Sequence, residues 1–81
     1  MKILIFGATW CSSCKALWRA IEADGDSPHF FEYLDLEQNS EAAQKYGVRS
    51  LPTVVEPEKG IVGTGITTLP ALKRWISDIT P

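Results

Sequence analysis

Cysteine, histidine and clustered charge are all scarce in this 81-residue chain, which has two cysteines, one histidine and a net charge of −2. Each scarcity closes a class of function. Without a Lys/Arg cluster there is no electrostatic footprint for nucleic acid or an anionic membrane surface. No apolar stretch approaches the roughly 20 residues that span a bilayer. Met1-Lys2 followed by Ile3 to Phe6 is shorter than the roughly 7–15-residue apolar core of a signal peptide, so it reads as a first strand and the protein as cytoplasmic. Two cysteines are too few for the disulfide framework of a small secreted domain. A structural zinc site takes four ligands dominated by Cys and His, and Cys11, Cys14 and His29 fall short of that. No metal and no other cofactor is therefore expected. A staple between Cys11 and Cys14 would close a four-residue ring. It would stabilise by about 2 kcal/mol, against about 3 for a 15-residue loop. Redox chemistry is the favoured use of such a pair in a cytosolic chain.

What is present is the composition of a globular protein, 44% hydrophobic with three tryptophans. The length predicts one domain over 1–81, near the lower limit for an unaided core. Lys2 to Phe6 is an apolar strand suited to a central position covered on both faces. From Ser12 to Ala23, Cys14, Leu17, Trp18 and Ile21 recur at i, i+3, i+4 and i+7 as one helical stripe, with Lys15, Arg19 and Glu22 outward. Asp24 to Pro28 ends that helix. His29 to Leu36 reads as a second strand, and Ser40 to Tyr46 as a short helix capped by Asn39 or Ser40 and stopped by Gly47. Val48 to Val55 is extended, Glu56 to Gly60 a hairpin turn, and Ile61 to Gly63 an edge strand. Thr67 or Thr68 caps a last helix with Pro70 in its first turn. Leu69, Leu72, Trp75, Ile76 and Ile79 give that helix its apolar face. The order is βαβαββα.

The chemistry sits in Trp10-Cys11-Ser12-Ser13-Cys14-Lys15. Helical register makes the two sulfurs unequal. Cys11 falls at the helix start, where free N–H groups and the positive end of the dipole favour a thiolate. Cys14 lies one turn in, on the stripe with Leu17 and Trp18, and burial among apolar groups raises a thiol pKa. Cys11 is therefore the expected attacking group and Cys14 the resolving one. Lys15 reads first as a solvated helix-face lysine, Trp18 and Trp75 as packing residues, and Glu32, Asp35 and Glu37 as a solvated strand end.

Trp-Cys-x-x-Cys-Lys after a strand, then Tyr46-Gly47-Val48-Arg49-Ser50-Leu51-Pro52-Thr53 before a hairpin, then a Gly before the last helix, strongly resembles the thioredoxin fold over the whole chain. Glutaredoxins and the small glutaredoxin-like thioredoxins are similar in length. The resemblance implies an α/β fold, a four-stranded mixed sheet flanked by three helices, and a monomeric thiol–disulfide oxidoreductase. It implies a cis bond at Leu51–Pro52, with the Ser50 and Leu51 backbone free to pair with an extended substrate. Trp10, Ser50, Leu51, Pro52 and the turn at Gly63-Thr64-Gly65 would then ring Cys11. The implied partners are protein disulfides, of which ribonucleotide reductase is the kind of target the family serves, and a thioredoxin-reductase-type or small-thiol donor.

Three departures from that pattern stand out. The family's buried Asp and neighbouring Lys are replaced by Ile5 and Tyr33, and with them goes the usual acceptor of the second cysteine's proton. Ser12-Ser13 replaces the proline-containing pair between the cysteines. Gly63 to Thr68 lacks the acidic pair with which glutaredoxins hold glutathione, so glutathione is the alternative donor and not the favoured one. A reading of another class is a binding module with no catalysis, against which the intact Cys11/Cys14 pair argues.

Overall fold

The computed structural model describes residues 2–25 and 27–80. Among them the elements run β1 (Ile3–Gly7), α1 (Ser12–Glu22), β2 (Phe31–Asp35), α2 (Ser40–Lys45), β3 (Thr53–Glu56), β4 (Ile61–Thr64) and α3 (Leu69–Ile79). The strands form one sheet in the order β2-β1-β3-β4. β1 runs parallel to β2, and β3 is antiparallel to both β1 and β4. The βαβαββα order and mixed four-stranded sheet are those expected.

β1 owes its central place to residues that bury on both faces. Ile3 and Ile5 join Leu17, Ile21, Phe31, Val54, Ile66 and Leu72 on the side carrying α1 and α3. Phe6 joins Ala43 and Val55 on the side carrying α2, with Leu34, Val48 and Leu51 packed around them. Each fully buried side chain of this size contributes roughly 1.5–3 kcal/mol, so the two clusters hold β1 in register against both neighbours.

Some boundaries differ from the sequence expectation, for local reasons. The second strand starts at Phe31, because Ser27–His29 form a single 3₁₀ turn. Pro28 lacks the N–H a strand ladder needs; Phe30 stays exposed, although its carbonyl accepts from Ile3 N–H at 2.8 Å. Asp26, within the expected stop of the first helix, lies outside the described residues. The third strand pairs only from Thr53, after Pro52. Asn39 is the residue before α2, but its side chain makes no cap bond; its amide donates to the Asp35 carbonyl at 2.9 Å. Of the two threonines, Thr68 caps α3, accepting from Ala71 N–H at 3.3 Å. Among the described residues, no helix is long and apolar enough to cross a membrane.

Candidate active site

The site is built at one end of the sheet. Phe6 pairs with Thr53, and Thr53 with Thr64. The end of β1, the start of β3 and the end of β4 therefore meet there, bringing Pro52 and Gly65 to the edge from which the Ala8–Trp10 loop departs. The Leu51–Pro52 peptide is cis, as the resemblance implied. Pro52 is buried, Leu51 packs beside Val55 and Phe6, and Ser50 is exposed. The Thr53 hydroxyl donates to the Ser50 carbonyl and closes this turn. Gly65 has φ +71°, a left-handed conformation that suits glycine. Gly63 is constrained differently: a Cβ there would lie 2.6 Å from the Trp75 Nε1.

Cys11 is the N-cap of α1 and is joined to Cys14 in a disulfide, with the two Cα atoms 5.3 Å apart. The Cys11 Sγ accepts from Cys14 N–H at 3.3 Å, a hydrogen bond from the first turn of the helix. Its own N–H donates to the Ala8 carbonyl at 3.1 Å. Cys11 is half-buried, whereas Cys14 is 0% exposed. The inequality expected from helical register is therefore present as a difference in access. Among the described residues, no group of three or more His, Cys, Asp and Glu is placed to hold a metal.

Two contacts at the site join residues far apart in sequence. Trp10 is 66% exposed, and its indole N–H donates to Glu37 Oε1 at 3.1 Å. Glu37 follows β2, so Trp10 is anchored on the β2 side of β1 and Pro52 stands on the β3 side. In the sequence Glu37 reads as part of a solvated strand end, and nothing in its local surroundings marks this role. Its position is fixed through Asp35, whose carboxylate accepts from Glu37 N–H at 2.8 Å. The second contact concerns Tyr33, whose ring packs on Trp18 at 5.5 Å and whose hydroxyl donates to the Ala8 carbonyl at 3.5 Å. Burial, with the Asp35 carboxylate adding to it, pushes that hydroxyl above its ordinary 10, so it acts as a neutral donor. Ile5 is 0% exposed and lies among the apolar side chains beside α1.

Comparison with known proteins agrees with this architecture. The thioredoxin family model matches residues 1–78. The chain is 35% identical over 71 residues to a thioredoxin of Staphylococcus epidermidis, covering 78% of this chain and 68% of that one. It is 33% identical over 79 residues to a thioredoxin of Rickettsia bellii, covering 90% and 75%. Among solved structures, a mutant thioredoxin from Halobacterium salinarum superposes with a TM-score of 0.76 at 28% identity, covering 98% of this chain and 74% of that one. Thioredoxin 1 from Thermosipho africanus shares the fold, with a TM-score of 0.69 at 22% identity and coverage of 96% and 97%. Thioredoxins use their own disulfide as the redox group and need no further cofactor. The chain belongs to the thioredoxin family, and the Cys11–Cys14 disulfide at the head of α1 makes it a disulfide oxidoreductase.

Proposed function

We propose that the chain reduces protein disulfides, with Cys11 as the attacking thiolate and Cys14 as the resolving thiol. The observation that carries this is the unequal access of the two sulfurs, Cys11 half-buried at the helix cap and Cys14 fully buried behind it. In the reduced protein, the Cys11 thiolate attacks one sulfur of a substrate disulfide, and the other leaves as a thiolate. Cys14, losing its proton, attacks the Cys11 sulfur of the mixed disulfide. The second substrate thiolate leaves, two electrons have passed to the substrate, and the Cys11–Cys14 disulfide has formed. A reductase or a small thiol returns the two electrons.

Trp10, the Ser50–Leu51 backbone, Pro52 and Gly65 form the substrate surface in this reading, with strand-like pairing carried by Leu51 because the Ser50 carbonyl already accepts from the Thr53 hydroxyl. The chain acts as one domain over 1–81 and as a monomer, since elements of a single chain close both apolar clusters. It works in the cytoplasm, where a dithiol is readily regenerated, and serves enzymes such as ribonucleotide reductase that finish a cycle with a disulfide. Insulin-disulfide reduction tests the reading. Wild type is expected to turn over, Cys11→Ser to be inactive, and Cys14→Ser to accumulate a mixed disulfide. An inactive wild type would leave a binding module. Supplying NADPH with thioredoxin reductase, or glutathione, identifies the donor.

A further inference from the structure

On the β2 side of α1, past the helix start that carries the disulfide, lies an open groove of about 230 Å³ lined by Thr9, Lys15, Trp18, Arg19, Glu22 and Tyr33. Its floor is aromatic, the tilted Trp18 and Tyr33 rings in contact at 5.5 Å. Its rim is charged. Lys15 and Arg19 are both exposed and one helical turn apart, and among the described residues neither forms an ion pair. Glu22 closes the end farther from Cys11. In a chain of net charge −2, Lys15 and Arg19 against Glu22 leave this rim locally positive over an aromatic floor, with the Asp35 carboxylate near the Tyr33 hydroxyl below it; the rim begins four residues along α1 from Cys11.

We propose that the groove receives an acidic residue of the protein that carries the target disulfide, its carboxylate seated between Lys15 and Arg19 and the adjoining residue lying on the two rings. The proposal rests on the protein-disulfide reading above and adds a substrate preference to it. The helix geometry sets the register. Lys15 and Arg19 lie roughly 6 and 12 Å along α1 from Cys11, at about 1.5 Å per residue. An extended segment advances about 3.3 Å per residue, which places the favoured carboxylate about two to four residues from the substrate cysteine. Beyond that point Glu22 repels a second one.

The test uses three peptide disulfides that differ only in the residue three positions from the reactive cysteine, which is Glu, Gln or Lys. With wild type at low ionic strength, kcat/KM is expected to fall in the order Glu, Gln, Lys. The Glu peptide should lead the Gln peptide by roughly 1.5- to fivefold, the worth of an exposed ion pair, and high salt should erase the difference. Arg19→Glu is expected to reverse the order. Lys59→Glu makes the same charge change at the turn at the opposite end of β3 and should leave the order unchanged. An unaltered order in Arg19→Glu, or an equal shift in Lys59→Glu, would overturn the proposal. An equal loss with glutathione disulfide would also overturn it, assigning the groove to a small anionic thiol. Turnover of the Gln peptide reports separately on the reductase reading. If wild type reduces none of the three peptides, that reading fails and the groove proposal fails with it.

Discussion

Tyr33 lies so closely over Gly7 that a Cβ on residue 7 would come within 2.8 Å of its Cε1 and Cζ atoms. The tyrosine reaches this place from the neighbouring strand, its own Cα being paired with Ile5. It is held there by the Trp18 ring and by its bond to the Ala8 carbonyl. The absence of a side chain at residue 7 and the presence of a ring at residue 33 are one packing solution, and the ring forms part of the floor of the groove along α1.

The two residues should therefore be energetically coupled. Gly7→Ala forces the ring aside and is expected to cost about 1–3 kcal/mol, as overpacking does. In Tyr33→Ala the same substitution should cost at least about 1 kcal/mol less, because the obstructing ring is gone. Urea midpoints of the four proteins in this cycle measure the coupling, and additive costs would refute it.

Tyr33 also makes an alkaline prediction. Its hydroxyl titrates above 10 in the folded protein and near 10 in the unfolded chain. Between those values the unfolded chain has lost the proton and the folded one keeps it. This group's contribution is thus fully present below pH 10 and is lost as pH rises through the folded value. Wild type should lose stability more steeply than Tyr33→Phe above pH 10, with parallel profiles below it. Parallel profiles throughout would show that Tyr33 is not the cause.

The full burial of Ile5 bears on the resolving step. With an alkyl group where the family has a carboxyl, Cys14 has no acid at that position to take its proton. Resolution of a mixed disulfide on Cys11 is expected to quicken markedly between pH 6 and pH 9, as followed by stopped-flow. A rate as fast at pH 6 as at pH 9 would count against this. Ile5→Asp should raise the rate near neutrality and lower stability by about 3 kcal/mol or more, because it buries an unpaired carboxyl among apolar side chains.

At the far end of the sheet, Glu56 is 2% exposed, and its two carboxylate oxygens accept from Glu58 N–H at 2.8 Å and Lys59 N–H at 2.7 Å. Glu56→Ala removes the partner of both turn amides. It is expected to cost about 2–3 kcal/mol in chemical denaturation, while insulin reduction well below the melting transition stays at the wild-type rate. A loss of activity without loss of stability would contradict this separation.

Local features of the chain determined a good deal of this protein. The stripe of Cys14, Leu17, Trp18 and Ile21 specified α1 and placed one cysteine inside and the other at the cap, because a helix repeats every 3.6 residues whatever surrounds it. Pro70 and the pair Thr67/Thr68 marked the start of α3 locally, and the structure settled the cap on Thr68. A local signal also misled where a neighbour competed with it: His29 and Phe30 have strand-like character but yield to the turn at Pro28. Tertiary structure alone decided which distant residues complete the site. Trp10 meets Glu37 across 27 positions, and Tyr33 fills the space over Gly7, because parallel pairing of β1 with β2 sets those segments side by side. No periodicity or motif carries that information. Such contacts arise from the register of two strands, and here that register follows from burying Ile3, Ile5 and Phe31 in one cluster.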